Sequence, residues 1–179
     1  MGTSFLFEGN KFTTANGRGQ LFASEWRPPQ EVPDGDYPLV LSTVREVGHY
    51  SCRSMTGNCS ALQTLSDEPG FVQMHPMDAK SHGIKDQQLL WISSRRGKVI
   101  TRVNYNERIN KGAVYMTYQW WIGACNELTI EHLDPISGTP EYKYCAVKVE
   151  KIDDQNWAEN YVQVEYSALR NKLRNVAKG

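Results

Sequence analysis

The sequence has no surplus of charge of either sign, because its 20 lysines and arginines are matched by 20 aspartates and glutamates. A balanced chain has no overall field to steer it to nucleic acid or to an anionic membrane surface. It also has no apolar run near the ~20 residues that a membrane-spanning helix needs. Residues 1–8 are too short and uncharged for a secretory signal. We therefore expect a soluble chain, without nucleic-acid binding or membrane insertion, in which any anion binding is local.

Cysteines are few, and no two of them form a CxxC pair. Cys52, Cys59, Cys125 and Cys145 also lack the spacings typical of zinc or iron–sulfur ligation. The sequence thus predicts no metal site, and it predicts isolated reduced thiols that pack as small apolar groups. The absence of a disulfide pattern favours a cytoplasmic location.

Short apolar segments separated by turn residues indicate a mainly β chain. The predicted strands are residues 11–14, 20–24, 37–41, 70–75, 89–93, 98–103, 109–116 and 143–149. The first two form a predicted hairpin around a turn at residues 16–19, and three prolines make residues 27–36 an extended connector. Short helices are predicted at residues 60–65 and 76–84, the second with proline in its first turn and glycine near its end.

A long helix is predicted over residues 154–176. Apolar residues recur along it in steps of three and four, which places them in one stripe: Val162, Tyr166, Leu169, Leu173 and Val176. Acidic residues near its start and basic residues near its end suit the helix dipole. The stripe must be buried, either against the rest of this chain or against a neighbouring domain.

Residues 45–57, here called the grip loop, follow the predicted strand at residues 37–41. The loop is dense in hydrogen-bonding side chains and contains two arginines, a composition typical of loops that bind phosphates or heterocycles. Arg45 offers a rigid fork of donors, and each charge-assisted bond to a phosphate oxygen contributes about 1.5–3 kcal/mol. A single arginine is nevertheless more often an ordinary surface residue. His49 has no second metal ligand near it in sequence and is typical of an orienting hydrogen-bonding residue.

Large aromatic residues are concentrated at Tyr118, Trp120 and Trp121, just after the strand at residues 109–116. Rings that carry N–H or O–H groups suit either a barrel core or the wall of a pocket for a planar ligand. From the residues alone, the core is the favoured alternative.

Three segments together carry a resemblance to a known family. Residues 37–59, 112–128 and 139–147 resemble, in order, three motifs of the C-terminal domain of molybdenum-dependent formate dehydrogenases, which belong to the bis-molybdopterin guanine dinucleotide oxidoreductases. The resemblance runs from about residue 12 to the last helix. It implies a six-stranded double-psi β-barrel with short helices, an N-terminal hairpin and a long C-terminal helix.

The same resemblance implies a division of the chain and a cofactor site. The hairpin and connector would occupy residues 1–36, the barrel residues 37–152 and the helix residues 153–179. The residues that match cofactor-binding positions are Arg45, Glu46, His49, Ser51, Tyr118, Asn126, Tyr142 and Lys143. Arg45 and Lys143 would pair with phosphate, whereas the other six would hydrogen-bond to or pack on the molybdopterin guanine dinucleotide.

The resemblance further implies what the chain by itself does not do. The resembled enzymes hold molybdenum or tungsten through a selenocysteine or cysteine in another part of the polypeptide, which also supplies a catalytic His, a substrate Arg and an iron–sulfur motif. We therefore expect a cofactor-binding domain of a formate dehydrogenase that is inactive alone and has the remaining domains of the catalytic subunit as its partner. Two alternatives are a free-standing small subunit or cofactor carrier, and an interaction barrel without cofactor.

Overall fold

The computed structural model describes residues 4–65 and 68–176, and within them six strands close into a barrel. The strands are β1 (Leu39–Val44), β2 (Phe71–Met74), β3 (Leu89–Ser93), β4 (Lys98–Tyr105), β5 (Ala113–Thr117) and β6 (Cys145–Lys151). The helices are α1 (Ser60–Leu65), α2 (Pro76–Ser81) and α3 (Gln155–Val176). Short 3-10 turns lie at Glu8–Asn10, Thr56–Asn58 and Cys125–Glu127.

The strands follow one another around the barrel in the order β1, β5, β2, β4, β3, β6, and β6 returns to β1. β1 pairs in parallel with β5, and β2 pairs in parallel with β4, whereas every other neighbouring pair is antiparallel. Closure is made by Leu39 opposite Val147. Two interleaved parallel pairs in a closed six-stranded barrel confirm the double-psi β-barrel that was predicted.

Alternating burial along the strands places the core inside the barrel. In β1, Leu39 and Leu41 point inward while their neighbours are partly exposed, which is the period-two pattern of a half-buried strand. Inward residues of the other strands complete one apolar cluster: Val72, Met74, Leu90, Ile92, Val103, Val114, Met116, Val147 and Val149. The barrel is therefore filled by side chains and leaves binding to its ends and outer faces.

The helix α3 packs on the rest of the chain from its start as far as Tyr166, which is buried and contacts the ring of Trp121. The side chain of Gln155 bonds both the N–H and the carbonyl of Leu89, and Val162 lies in a second apolar cluster with residues of β3 and β4. Along the predicted stripe, burial is lost toward the end of the helix, because Leu173 is 45% and Val176 is 73% exposed. The barrel thus covers the start of the stripe, and no described residue covers its end.

The N-terminal hairpin is the part of the predicted fold that is wrong. A turn does form, since Phe12 N–H donates to the Gly17 carbonyl at 3.1 Å, but residues 10–26 contain no strand. Leu21 and Phe22 are exposed, so the alternating pattern has no core to face. An isolated two-stranded hairpin is marginal in water, and here no sheet receives it.

The cysteine prediction is half correct. All four thiols are free, and Cys125 and Cys145 are buried as predicted, but Cys52 and Cys59 are exposed. Burial raises the pKa of Cys125 to about 12 and that of Cys145 to about 11. The exposed pair lies on or next to the grip loop, outside the barrel, where no core is available to cover it.

The proline-rich connector is held against the barrel by its carboxylates. Glu31 accepts two bonds from the Arg96 guanidinium, at 2.6 and 2.9 Å, and a third from the N–H of Ala146 in β6 at 2.7 Å. Asp34 caps the N–H of Tyr37 and pairs with Arg95. The bonds from Arg96 hold the pKa of Glu31 below its ordinary 4.5.

The contribution of Glu31 to the free energy of unfolding should depend on pH. Because the pKa of Glu31 is lower in the folded chain, its contribution to stability is present above about pH 4.5 and is lost as pH falls through the folded value. Replacing Glu31 with Gln should therefore lower the free energy of unfolding by about 1.5–3 kcal/mol at neutral pH, and by less at about pH 3. Urea denaturation at both pH values measures this, and a deficit that stayed constant would contradict it.

Candidate functional site

The grip loop leaves the barrel at the end of β1 and follows an unusual backbone path. Ser51 and Arg53 adopt left-handed conformations with φ of 50° and 65°, and Gly48 has φ of 107°. Left-handed conformations are uncommon for residues with a Cβ and persist only where surrounding contacts hold them. The loop is therefore shaped by its neighbours, and these can be identified.

Two cationic and two phenolic side chains meet where β1 ends. Arg45 Nε donates to the Tyr118 hydroxyl at 2.6 Å. Lys143 Nζ donates to the Thr43 carbonyl at 3.1 Å and lies 6.0 Å from the ring centroid of Tyr118 and 5.3 Å from that of Tyr142. Thr43 Oγ1 in turn donates to the Tyr142 carbonyl at 3.1 Å. These contacts gather four of the eight predicted site residues into one group, called here the cation cluster: Arg45, Tyr118, Tyr142 and Lys143.

The cation cluster keeps hydrogen-bond donors available to a ligand. The bond to the Tyr118 oxygen raises the pKa of Arg45, so its guanidinium stays charged. Among the described residues, only Nε of Arg45 is bonded, which leaves its terminal nitrogens free. Arg45 also borders a cavity of about 370 Å³ together with Arg108 and Asn110. The two guanidinium groups at this opening, Arg45 and Arg108, fit a diphosphate, because each can make charge-assisted bonds to its oxygens.

Glu46 and His49 are fixed by one buried side chain, Gln119. The Oε1 atom of Gln119 accepts from the Glu46 N–H, and its Nε2 donates to the His49 carbonyl at 2.9 Å. The His49 ring bonds Thr56 Oγ1 at 3.0 Å and meets the Trp120 ring edge-on at 5.4 Å. The His49 imidazole is therefore hydrogen-bonded to another residue of the grip loop.

Ser51 and Asn126 have no contact with the cation cluster among the described residues. Ser51 lies in the loop two residues beyond His49 and is half-buried. Asn126 is exposed in the turn Cys125–Glu127. The positive charge of Lys143 opposes the rise in the pKa of Cys125, which indicates that this turn lies near the cluster.

A second buried network ties the later part of the grip loop to residues 120–122. Arg53 Nη1 pairs with Glu68 Oε1 at 2.7 Å, and its guanidinium lies 4.8 Å from the centroid of the Trp120 ring. Glu68 also accepts from the N–H groups of Trp121 and Ile122, at 3.3 and 2.9 Å. Burial raises the pKa of Glu68 above its ordinary value despite these donors. The prediction that these aromatic rings lie in the core is confirmed for Trp120, which is buried, and is wrong for Trp121, which is exposed.

A larger opening of about 780 Å³ lies between the grip loop and the second half of α3. Its walls include Tyr118 of the cation cluster, Arg53, Trp121, and Leu173 from the exposed end of the helix stripe. The opening therefore adjoins the cation cluster and the uncovered part of α3.

Sequence reasoning missed Gln119, Glu68 and Arg108. Gln119 and Glu68 contribute through bonds to residues far away in the sequence, and Arg108 only through the cavity it shares with Arg45, so local patterns did not single them out. The one usable signal was Gln119, a polar residue within a dense aromatic run. Over residues 4–65 and 68–176, no group of three or more His, Cys, Asp or Glu side chains could hold a metal ion. No helix in that part of the chain has the length and apolar character to cross a bilayer.

Comparison with known proteins places this geometry in a family. The model of the molydopterin dinucleotide binding domain matches residues 39–146, which contain β1 to β5 and the first two residues of β6. Formate dehydrogenase H of Escherichia coli (strain K12) is 60% identical over 176 residues, which are 98% of this chain and 24% of that protein. The F420-dependent formate dehydrogenase subunit alpha of Methanocaldococcus jannaschii is 41% identical over 151 residues, which are 84% of this chain and 22% of that subunit.

A solved structure supports the fold independently of close sequence similarity. Acetylene hydratase from Pelobacter acetylenicus matches 83% of this chain with a TM-score of 0.64 and 18% identity, over 25% of its own chain. The present chain thus spans about a quarter of the length of the relatives that it matches. The match of the family model over most of the barrel, together with these relatives, shows that the chain belongs to the molydopterin dinucleotide binding domain family.

Proposed function

We propose that this chain binds molybdopterin guanine dinucleotide through the cation cluster and the grip loop. The observation that carries the proposal is Arg45, whose guanidinium is fixed by Tyr118 at one nitrogen and open at the others, with Lys143 against the same ring. On a chain with no net charge, this is a local concentration of positive charge, which suits the diphosphate of a dinucleotide. Membership of the family supports the cofactor class.

The remaining predicted residues would recognise the parts of the cofactor beyond the diphosphate. The Glu46 carboxylate would accept from an N–H of the guanine or pterin, and Ser51 and His49 would hydrogen-bond to the ligand. Tyr142 would pack on a planar ring, and the Asn126 amide would pair with its edge. The exposure of Tyr142 and Asn126 is consistent with a surface that the ligand covers.

In the whole protein, we propose that this domain clamps cofactor held also by other domains of a formate dehydrogenase catalytic subunit, in the cytoplasm. The relatives named formate dehydrogenase are about four times longer than this chain, which supports such partners. The bound cofactor would supply the molybdenum or tungsten redox chemistry for oxidising formate to carbon dioxide. In this proposal the N-terminal segment and connector occupy residues 1–36, the barrel domain residues 37–152, and a C-terminal segment that includes α3 residues 153–179.

Replacing Arg45 with Ala tests the proposed site. With GDP as a probe for the guanine and diphosphate groups, the variant should bind roughly tenfold to a hundredfold more weakly, because about 1.5–3 kcal/mol of charge-assisted bonding is lost. The free energy of unfolding should change by less than about 0.5 kcal/mol, since Arg45 is exposed. Titrations followed by backbone amide NMR measure the affinity and locate the ligand.

The control is Lys98→Ala, which removes an exposed cation from β4, where it pairs with Glu150. This variant should bind GDP as the wild type does. Amide shifts confined to residues 44–55, Tyr118, Asn126 and Tyr142–Lys143 would support the site. Shifts centred on α3, or none at millimolar GDP, would contradict it and favour an interaction barrel without cofactor.

A further inference from the structure

The side-chain amide of Gln119 lies in the protein interior, where a polar group without hydrogen bonds lowers stability. Gln119 lies two residues after β5 and is only 1% exposed. A buried amide without partners is destabilising, so such a side chain is retained where its donors and acceptors are used. Both the oxygen and the nitrogen of the Gln119 amide are hydrogen-bonded, and each has a partner in the backbone of the grip loop.

The two loop contacts lie on either side of one exposed turn. Gln119 Oε1 accepts from the N–H of Glu46, and Gln119 Nε2 donates to the carbonyl of His49. Between them lie Gly48, with φ of 107°, and Val47, which is 93% exposed. One side chain therefore holds both ends of the turn that carries two of the proposed ligand contacts.

The orientation of this amide is itself fixed from the barrel. Thr117, the last residue of β5, is buried and donates its hydroxyl to Gln119 Oε1 at 3.1 Å, while the same hydroxyl accepts from the Gln119 N–H at 3.3 Å. Because Oε1 is held toward Thr117 and Glu46, Nε2 is directed at His49. The barrel thus sets the direction of both bonds to the loop.

We propose that Gln119 is a positioning residue that holds the grip loop in its ligand-binding form before any ligand arrives. The identity of the ligand in this inference rests on the proposed function. The claim that Gln119 holds the loop is independent of it. A loop ordered in advance binds more tightly, because less conformational freedom is lost on binding. The amide suits this position because it combines an acceptor for the Glu46 N–H with a donor for the His49 carbonyl.

Two substitutions separate the two bonds. Gln119→Met keeps the length and approximate volume of the side chain but removes both bonds. Gln119→Glu keeps an acceptor for the Glu46 N–H and loses the donor to His49, placing a carboxylate oxygen against a carbonyl oxygen. The control is Gln88→Met, which removes a different amide, one that accepts from the Lys85 N–H at 2.9 Å and has no described hydrogen bond to the grip loop.

The first measurement uses no ligand. Hydrogen exchange of the Glu46 amide should become roughly tenfold faster in Gln119→Met, which corresponds to the loss of one hydrogen bond, and should stay near the wild-type rate in Gln119→Glu. The carbonyl ¹³C shift of His49 should move in both variants. Neither signal should change in Gln88→Met.

The second measurement is GDP titration of the same proteins. Gln119→Met should bind roughly tenfold more weakly than the wild type while retaining amide shifts at Tyr118 and Lys143. Unchanged Glu46 exchange and an unchanged His49 carbonyl shift in Gln119→Met would overturn the positioning role. If Gln119→Met fails to fold, the His49 carbonyl shift in Gln119→Glu decides. If the wild type does not bind GDP, the proposed function fails and the exchange measurement still decides the role of Gln119.

Discussion

Replacing Arg53 with Met is expected to lower the free energy of unfolding by about 3–5 kcal/mol at neutral pH. The substitution removes the guanidinium from a buried ion pair, in which Arg53 is 6% and Glu68 is 8% exposed. The Glu68 carboxylate would then keep its N–H donors at Trp121 and Ile122 but lose the opposite charge. An ionised carboxylate at such a site is costly, so this one pair should affect stability far more than a surface pair.

The loss in free energy of unfolding caused by Arg53→Met, called here the Arg53→Met deficit, should depend on pH. Burial already raises the pKa of Glu68 above 4.5, and removal of the positive charge of Arg53 raises it further. Below about pH 4.5 the carboxyl is protonated both folded and unfolded, so its ionisation adds no cost there. Because the wild-type pKa is already raised, the Arg53→Met deficit should begin to grow above the wild-type folded value and increase toward neutral pH, as measured by urea denaturation across that range.

A matched control removes an exposed pair. Lys98 and Glu150 pair at 3.1 Å with both side chains nearly half exposed, so Lys98→Met should cost about 0–1 kcal/mol. The double variant Arg53→Met/Glu68→Leu should recover part of the stability, because it removes the buried charge as well. Arg53→Met within about 1 kcal/mol of the wild type would contradict the expectation.

Replacing Gly123 with Ala is expected to lower the free energy of unfolding by about 3–5 kcal/mol, from backbone strain and overpacking together. Gly123 has φ of +77°, and a Cβ there would lie 2.5 Å from the carbonyl oxygen of Ile100, a backbone atom of β4 that cannot easily move. The N–H of Gly70 bonds the neighbouring Ile122 carbonyl, which fixes the segment further.

Gly112→Ala isolates the conformational part of that effect, so its difference from Gly123→Ala gives the steric part. Gly112 has nearly the same backbone angle, φ of +79°, but nothing lies within 4 Å of a Cβ built there. Its replacement should cost about 1–2 kcal/mol, from conformation alone. Chemical denaturation of the two variants gives the difference directly, and equal losses at both positions would show that the approach to Ile100 is relieved at little cost.

The barrel was predictable because its signals are local. The apolar run in the strand predicted at residues 37–41, the proline start of α2 and the repeat of apolar residues in α3 each report on a structure formed by neighbours in sequence. The N-terminal hairpin shows where this fails: residues 11–24 have strand-like alternation, but a strand also needs a partner sheet, and alternation does not reveal whether one exists.

The residues of the candidate site likewise fall into those that the sequence indicated and those that only the fold brings together. Arg45 could be singled out from its own chemistry, and resemblance to a family added Tyr118 and Lys143, which the structure brings to it. The bonds from Gln119 to Glu46 and His49 and the pair between Arg53 and Glu68 connect residues whose juxtaposition depends on barrel closure. No spacing in the sequence encodes such contacts, so they emerged only from the fold.

The strand order also has a consequence for the chain as it leaves the ribosome. Both neighbours of β1 come late, since Val40 pairs with Ala113 and Leu39 with Val147. At a synthesis rate of about 5–20 residues per second, β1 waits on the order of 5–20 seconds for its last partner. Arg45 is made early but meets Tyr118 and Lys143 only when the barrel closes, so a nascent or truncated chain displays the guanidinium without the group around it. The proposed affinity for the dinucleotide would then appear only when folding is complete.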